Sequence, residues 1–152
     1  MPGLIERYRE RLPFAPEDPV VSLGEGSTPL VHAPGLSERV DIRVGPALDS
    51  LLTLRDEGVE PFDLIFIDAD KQSSPEYFAL ALELSHPGTV IITDNVIRDG
   101  ALIDPASDDP SVEGARRLHE LLAREKRVSA TTIQTVGSKG YDGFTLALVK
   151  RK

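Results

Sequence analysis

Two short apolar runs, separated by a stretch of helix length, constrain this chain more than any other feature of its sequence. Asp63–Ala69 (DLIFIDA) and Thr89–Thr93 (TVIIT) are almost continuously apolar, which is the pattern of strands buried on both faces. Pro75–Ser85 lies between them and carries a helical pattern that stops before Pro87-Gly88. Strand, helix and strand in that order form a parallel pair joined by a crossover, so the class is α/β.

The pattern extends in both directions. Val40–Val44 alternates and reads as a strand. Pro46 then opens a helix with Leu48, Leu51 and Leu52, which ends at Gly58; proline first and glycine just after the end is the usual polarity of a helix. Beyond a loop rich in Asp and Pro (98–110), Val112, Ala115, Leu118, Leu121 and Leu122 mark a third helix. Ser129–Val136 and Phe144–Val149 have no helix between them and are predicted to form an antiparallel hairpin. The sheet is therefore expected to be mostly parallel with an antiparallel carboxyl-terminal end. The first forty residues differ in character. Leu4, Ile5, Tyr8 and Leu12 have helical spacing, and Pro13, Pro16 and Pro19 stop that helix. Two apolar runs, 19–23 and 29–33, flank Gly24-Glu25-Gly26, and Pro29 and Pro34 confine the second run to an edge or an irregular path.

Composition narrows the function. The chain has 152 residues, a size that suits one domain, and it has no cysteine, which excludes disulfides, thiolate metal sites and cysteine nucleophiles. Its 17 basic and 25 acidic residues leave a net charge of −8, the opposite of a nucleic-acid-binding surface. No apolar run approaches the roughly 18 residues of a membrane span, and no signal-peptide core opens the chain. The expectation is a soluble cytoplasmic protein with neither a nucleic acid nor a membrane as partner.

The chemistry concentrates at two strand ends. Asp68-Ala69-Asp70-Lys71 closes the first apolar run and Asp94-Asn95 the second. Ligands of open parallel sheets bind beyond the carboxyl ends of the strands, and adjacent strands lie about 4.8 Å apart. Asp68, Asp94 and Asn95 can therefore converge. An all-oxygen set suits a hard cation such as Mg²⁺, and Lys71 is close enough to take a proton from a hydroxyl held there. A strand-end Asp is often only a helix cap. Two neighbouring strands that both end in Asp, together with Asn and Lys, favour a site.

These residues also carry a resemblance. FDLIFIDADK (62–71), PGTVIITDNVIRDG (87–100) and TVGSKGYDGFTLALV (135–149), with VDIRVGPALDSL (40–51) upstream, resemble the cation-dependent O-methyltransferases of the catechol and caffeoyl-CoA type. The resemblance covers residues 40–150 and implies a partial Rossmann-like methyltransferase sheet, from a family whose strand order is 3-2-1-4-5-7-6. It implies that Asp68, Asp94 and Asn95 bind the metal and that Lys71 is the catalytic base. Asp68 would also border the methionine end of S-adenosylmethionine, and Gly45, Pro46 and Ala47 would lie against its adenine. The family's first two strands, with their Gly-rich loop and ribose-binding acid, have no counterpart upstream of Val40. GLIERYRERLP (3–13) and PVVSLGEGSTPLVHAPGLSER (19–39) instead resemble the amino terminus of threonine synthase, without that family's cofactor lysine or phosphate loop. The resemblances together imply a chimera: residues 1–39 are a threonine-synthase-like segment, and residues 40–152 an O-methyltransferase-like half domain.

Two functional expectations follow. One is a folded half domain without activity that keeps a cation site. The other is an active Mg²⁺-dependent O-methyltransferase for a catechol-like hydroxyl, with its cofactor pocket rebuilt in an oligomer. Without its inner neighbours, the strand at 63–69 would form an apolar edge. The strand at 40–44, the runs at 19–33 or a second protomer can cover it, and a second protomer predicts a homodimer or higher oligomer. His32, His86 and His119 are far apart and carry no expected catalytic role, with His86 read as a surface turn residue. Ser138, Lys139 and Tyr141 are expected in a solvated turn, and Asp104–Asp109 in an acidic loop that caps the third helix.

Overall fold

The structure is a computed structural model, and it describes residues 43–138 and 140–151. The expectations for residues 1–39, and those for Val40, Asp41 and Ile42 of the first strand, lie outside the described residues. Arg43 and Val44, the rest of that strand, are not part of a strand among the described residues.

The elements run α1 (Ala47–Glu57), β1 (Phe62–Ile67), α2 (Ser74–Glu83), β2 (Ser85–Asp94), two 3₁₀ turns within Arg98–Ile103, α3 (Pro110–Arg124), β3 (Val128–Gly137) and β4 (Gly140–Val149). Proline and glycine bound α1 as expected. Pro46 precedes it, and Gly58 closes it at φ 67°, a left-handed position that glycine adopts without a Cβ clash. Asp109 caps α3, its side chain accepting the Ser111 N–H at 2.7 Å.

The sheet order is β1-β2-β4-β3, with β1 parallel to β2 and β4 antiparallel to both β2 and β3. Three of the four strands thus point the same way, and β3–β4 is the expected hairpin. The order corresponds to the 4-5-7-6 portion of the sheet implied by the methyltransferase resemblance. One face of the sheet presents Ile67, Ile91 and Ala147 to Tyr77, Phe78, Ala81 and Leu82 of α2 and to Leu118 of α3, and Phe78, Ile91, Leu118 and Ala147 are fully buried there.

The other face corrects an expectation. β1 is not buried on both sides: Leu64 and Phe66 are each 60% exposed. Register shows why. Leu64 lies beside Val90 and Leu148, and Phe66 beside Ile92 and Leu146. These rows alternate with the helix-covered ones, because successive strand residues point to opposite faces. Among the described residues β1 is also an edge strand. His86, expected in a turn, instead lies at the start of β2, where the ladder register breaks between Phe62 and Leu64. Its Nε2 lies 2.9 Å from Asp63 Oδ1. No helix among the described residues is long and apolar enough to cross a membrane.

An apolar edge of this kind is a template for pairing with another chain. Light scattering at micromolar concentration is expected to give a dimer or larger species, and Leu64→Lys with Phe66→Lys should shift it toward monomer. A monodisperse wild-type monomer would show that the edge is covered within the chain.

Candidate functional site

The parallel pairing of β1 with β2 sets the geometry. Ile67 is opposite Thr93, so the next residues, Asp68 and Asp94, stand side by side where the two strands end. Asn95 follows at φ 56°, a left-handed conformation that asparagine tolerates better than most residues.

Each carboxylate has a partner that fixes it. Lys71 Nζ donates to Asp68 Oδ1 at 2.6 Å, with the Lys71 side chain mostly buried and that of Asp68 half exposed. Asp94 Oδ1 accepts the N–H of Asn95 at 2.8 Å. The loop after β1 is braced from α2. Asp70 Oδ1 accepts the Ser73 N–H at 3.0 Å, and its Oδ2 accepts the Tyr77 hydroxyl. The hydrogen bond from Tyr77, and then those from Ser73, hold the Asp70 carboxyl below the usual carboxylate range. Burial and the bond to Asp70 push the Tyr77 phenol up.

The same loop lies against α3. A Cβ on Gly114 would be 2.0 Å from the Lys71 carbonyl oxygen and 2.7 Å from Gln72 Cα. Glycine at this helical position is what allows the Lys71 segment to approach α3. The loop after β2 is held by β4 and α3: Asp142 Oδ1 accepts the N–H groups of Ile97 and Arg98, and His119 Nε2 lies 3.0 Å from the Val96 carbonyl oxygen. His119 is thus a partner of the backbone.

Two hollows flank the strand ends. One of about 450 Å³ runs along the β1 edge, lined by Gly45, Ala47, Ile67, Asp68, Tyr77 and others. It unites three of the four residues expected to border S-adenosylmethionine; Pro46 is not in its lining. The second, about 400 Å³, is lined by Asn95, Asp99, Thr135, Ser138, Tyr141 and Asp142, among others. Ser138, in the turn as expected, and Tyr141 both border this hollow. Tyr141 is not a turn residue: it lies in β4 opposite Val136, because the hairpin ladder runs on to Gly137 and Gly140. Lys139 lies outside the described residues. Asp104 Oδ1 accepts the Ala106 N–H within the acidic loop, and Asp109 is the residue that caps α3.

The donor set suits a hard cation in kind: two carboxylates and a carboxamide, with no nitrogen or sulfur ligand. Among the described residues no three His, Asp or Glu side chains are grouped closely enough to hold a metal by themselves. A cation here would therefore draw on the Asn95 amide oxygen and on water or substrate.

An open α/β sheet with acidic strand ends beside an edge pocket has the layout in which proteins of this class bind ligands, beyond the carboxyl ends of their strands. The comparisons with known proteins make this specific. Residues 24–151 match the O-methyltransferase family model, and the chain belongs to that family. A catechol O-methyltransferase of Niastella koreensis is 54% identical over 116 residues, 76% of this chain and 52% of that protein. One from Mycobacterium tuberculosis is 48% identical, over 76% of this chain and 51% of that protein. Among solved structures, an O-methyltransferase from Bacillus cereus in complex with SAH shares 63% identity at a TM-score of 0.73, covering 76% of this chain and 52% of that one. The chain spans about half the length of the curated relatives it matches. The family match begins at residue 24, inside the expected threonine-synthase-like stretch (3–39); the expected junction near Arg39–Val40 lies outside the described residues.

Sequence reasoning missed Gly114, Tyr77 and Asp142. A glycine within an amphipathic helix was the available signal for Gly114. Nothing local marked Tyr77 or Asp142.

Two outcomes test this bracing. Gly114→Ala is expected to cost about 1–3 kcal/mol by overpacking, read by chemical denaturation, and to shift the amide resonances of Lys71 and Gln72. Tyr77→Phe should raise the Asp70 pKa toward its ordinary 3.8, read by carboxyl-carbon NMR titration. Because Asp70 is depressed in the folded state, the stability lost in that variant is fully present above its unfolded pKa. The loss fades as pH falls through the folded pKa.

Proposed function

We propose that residues 43–151 carry the cation and acceptor side of an S-adenosylmethionine-dependent O-methyltransferase site that acts on a catechol-like hydroxyl. The observation that carries this reading is the register that sets Asp68 beside Asp94, with Lys71 paired to Asp68 and Asn95 next in the chain. The relatives support it, being catechol O-methyltransferases or proteins solved with SAH or SAM, the latter including a Streptomyces achromogenes enzyme of tomaymycin synthesis.

In this reading Asp68, Asp94 and Asn95 hold Mg²⁺. Where bound, the cation supplies the charge that lowers the pKa of an acceptor hydroxyl, and S-adenosylmethionine supplies the methyl group. Lys71 takes the hydroxyl proton, its amine kept near the strand ends by Asp68. Gly45 and Ala47, in the lining of the hollow along β1, and Pro46 between them in the chain would lie against the adenine, and the volume of that hollow is within the range of small-molecule sites.

We further propose that residues 1–39 and 40–152 join a threonine-synthase-like segment to a methyltransferase half domain, and that these residues by themselves are inactive. Residues 3–39 carry neither the Gly-rich loop nor the acidic strand end that would orient the methyl donor. Donor positioning of that kind lowers a barrier by up to ~7–11 kcal/mol. The competing reading, an active enzyme with the pocket completed in an oligomer, draws on the apolar β1 edge.

Calorimetric titration of S-adenosylhomocysteine, with Mg²⁺ present, separates the two. The inactive reading expects Mg²⁺ binding that weakens at least about tenfold in Asp68→Ala, and no heat from S-adenosylhomocysteine. Saturable S-adenosylhomocysteine binding that is lost in Asp68→Ala would establish a rebuilt pocket. No Mg²⁺ binding by a cooperatively folded sample would remove the cation site itself.

A further inference from the structure

The loop that leaves β2 is held in a conformation its own residues disfavour. Asn95, Arg98 and Asp99 have φ of 56°, 55° and 52°, and none is glycine. Backbone of that kind persists only where its surroundings over-determine it. What surrounds this loop is the start of β4, about forty-five residues later in sequence.

Asp142 makes most of the contact. Its Oδ1 accepts three backbone N–H groups, from Ile97 at 2.9 Å, Arg98 at 3.0 Å and its own neighbour Gly143 at 2.9 Å. Its Oδ2 lies 3.8 Å from the Arg98 guanidinium. Gly143 adds a carbonyl oxygen that accepts the Val96 N–H at 3.0 Å. A Cβ on Gly143 would be 2.4 Å from the Ile133 carbonyl oxygen and 2.7 Å from Ile97 Cγ1, so only glycine permits this approach. Residues 96, 97 and 98 are thus all tied to the Asp142-Gly143 dipeptide, directly after Asp94 and Asn95.

We propose that Asp142 is a positioning residue for the cation site. Its carboxylate fixes the backbone of residues 96–98, and through it the direction in which Asp94 and Asn95 present their oxygens. Its Oδ1 is filled by three N–H donors and its Oδ2 lies toward the Arg98 guanidinium, so the role assigned to it is orientation and not ligation. Partners of this outer kind orient metal ligands, and their loss typically weakens metal affinity about 10–100-fold. The inference rests on the proposed reading of Asp68, Asp94 and Asn95 as ligands.

The test uses the full chain and Mn²⁺ alone, with unbound Mn²⁺ counted by electron paramagnetic resonance well below the melting transition. Asp142→Ala is expected to weaken Mn²⁺ binding at least about tenfold, and Asp142→Asn, which keeps an acceptor oxygen, by less. Val112→Ala, a buried change on α3, supplies a matched loss of stability and should leave the affinity unchanged. If Asp142→Ala does not fold, Asp142→Asn decides, with a weakening of about threefold or more expected. Affinity unchanged in the Asp142 variants but abolished in Asp94→Ala would overturn the positioning role and leave the ligands standing. Absence of saturable Mn²⁺ binding in the wild type would overturn the ligand reading, and the Asp142 proposal with it.

Discussion

The site depends on one register. Parallel pairing aligns Ile67 with Thr93, and every consequence at the strand ends follows from that alignment. Because side chains alternate with a period of two, a slip by one residue would turn Asp68 or Asp94 to the opposite face. The slip is opposed from the core, since Ile67 and Ile91 belong to the cluster that holds Phe78 and Leu118. Moving either strand by one residue would drive those apolar side chains off the helices. Apolar packing on one face thus fixes the placement of charge on the other.

Register sets where the carboxylates begin, and the loops decide where they point. Each strand-end loop is held by other elements, near in sequence for Tyr77 and distant for Gly114 and Asp142. Tyr77 and Gly114 hold the segment from Asp68 to Gln72, through a hydrogen bond and a close backbone approach respectively. Asp142, Gly143 and His119 hold the segment from Asn95 to Arg98. Arg116 secures the 3₁₀ turns beyond it by donating to the carbonyls of Ala101, Leu102 and Asp104. Backbone groups in these loops find partners in side chains, as an irregular segment must where it cannot join a ladder.

Legibility in the sequence followed this division. Periodicity and punctuation revealed α1, the βαβ unit and the hairpin, because those signals are local: Pro46 and Gly58 mark one helix, and the two apolar runs mark the parallel strands. The strand-end position of Asp68, Lys71, Asp94 and Asn95 was legible for the same reason. The burial of β1 was not. An apolar run reads as a doubly buried strand only when neighbours cover both faces, and coverage is a property of the tertiary arrangement. Phe66 looks the same in sequence whether its face is packed or open. Asp142 was illegible because its partners Ile97 and Arg98 are about forty-five residues away, and a YDG turn before a strand looks like hairpin punctuation.

The open face bears on how firmly the two halves of the site are built. β2 is an interior strand, paired on both sides, and Asp94 leaves it into a loop fixed by β4 and α3. β1 has one ladder partner among the described residues, and its Leu64 and Phe66 are mostly exposed. Opening of native structure concentrates where apolar contacts are few and backbone hydrogen bonds are exposed. Asp68 and the Lys71 loop therefore stand on the weaker side, and Asp94 and Asn95 on the stronger. The hollow bordered by Gly45, Ala47 and Asp68 runs along this same edge. A strand paired to β1 would complete its ladder beside the hollow, whereas Leu64 and Phe66 point out of the sheet plane and need a layer over their face. Order in the Asp68 half of the site therefore depends on cover for the edge, and burial of Leu64 and Phe66 on cover for the face.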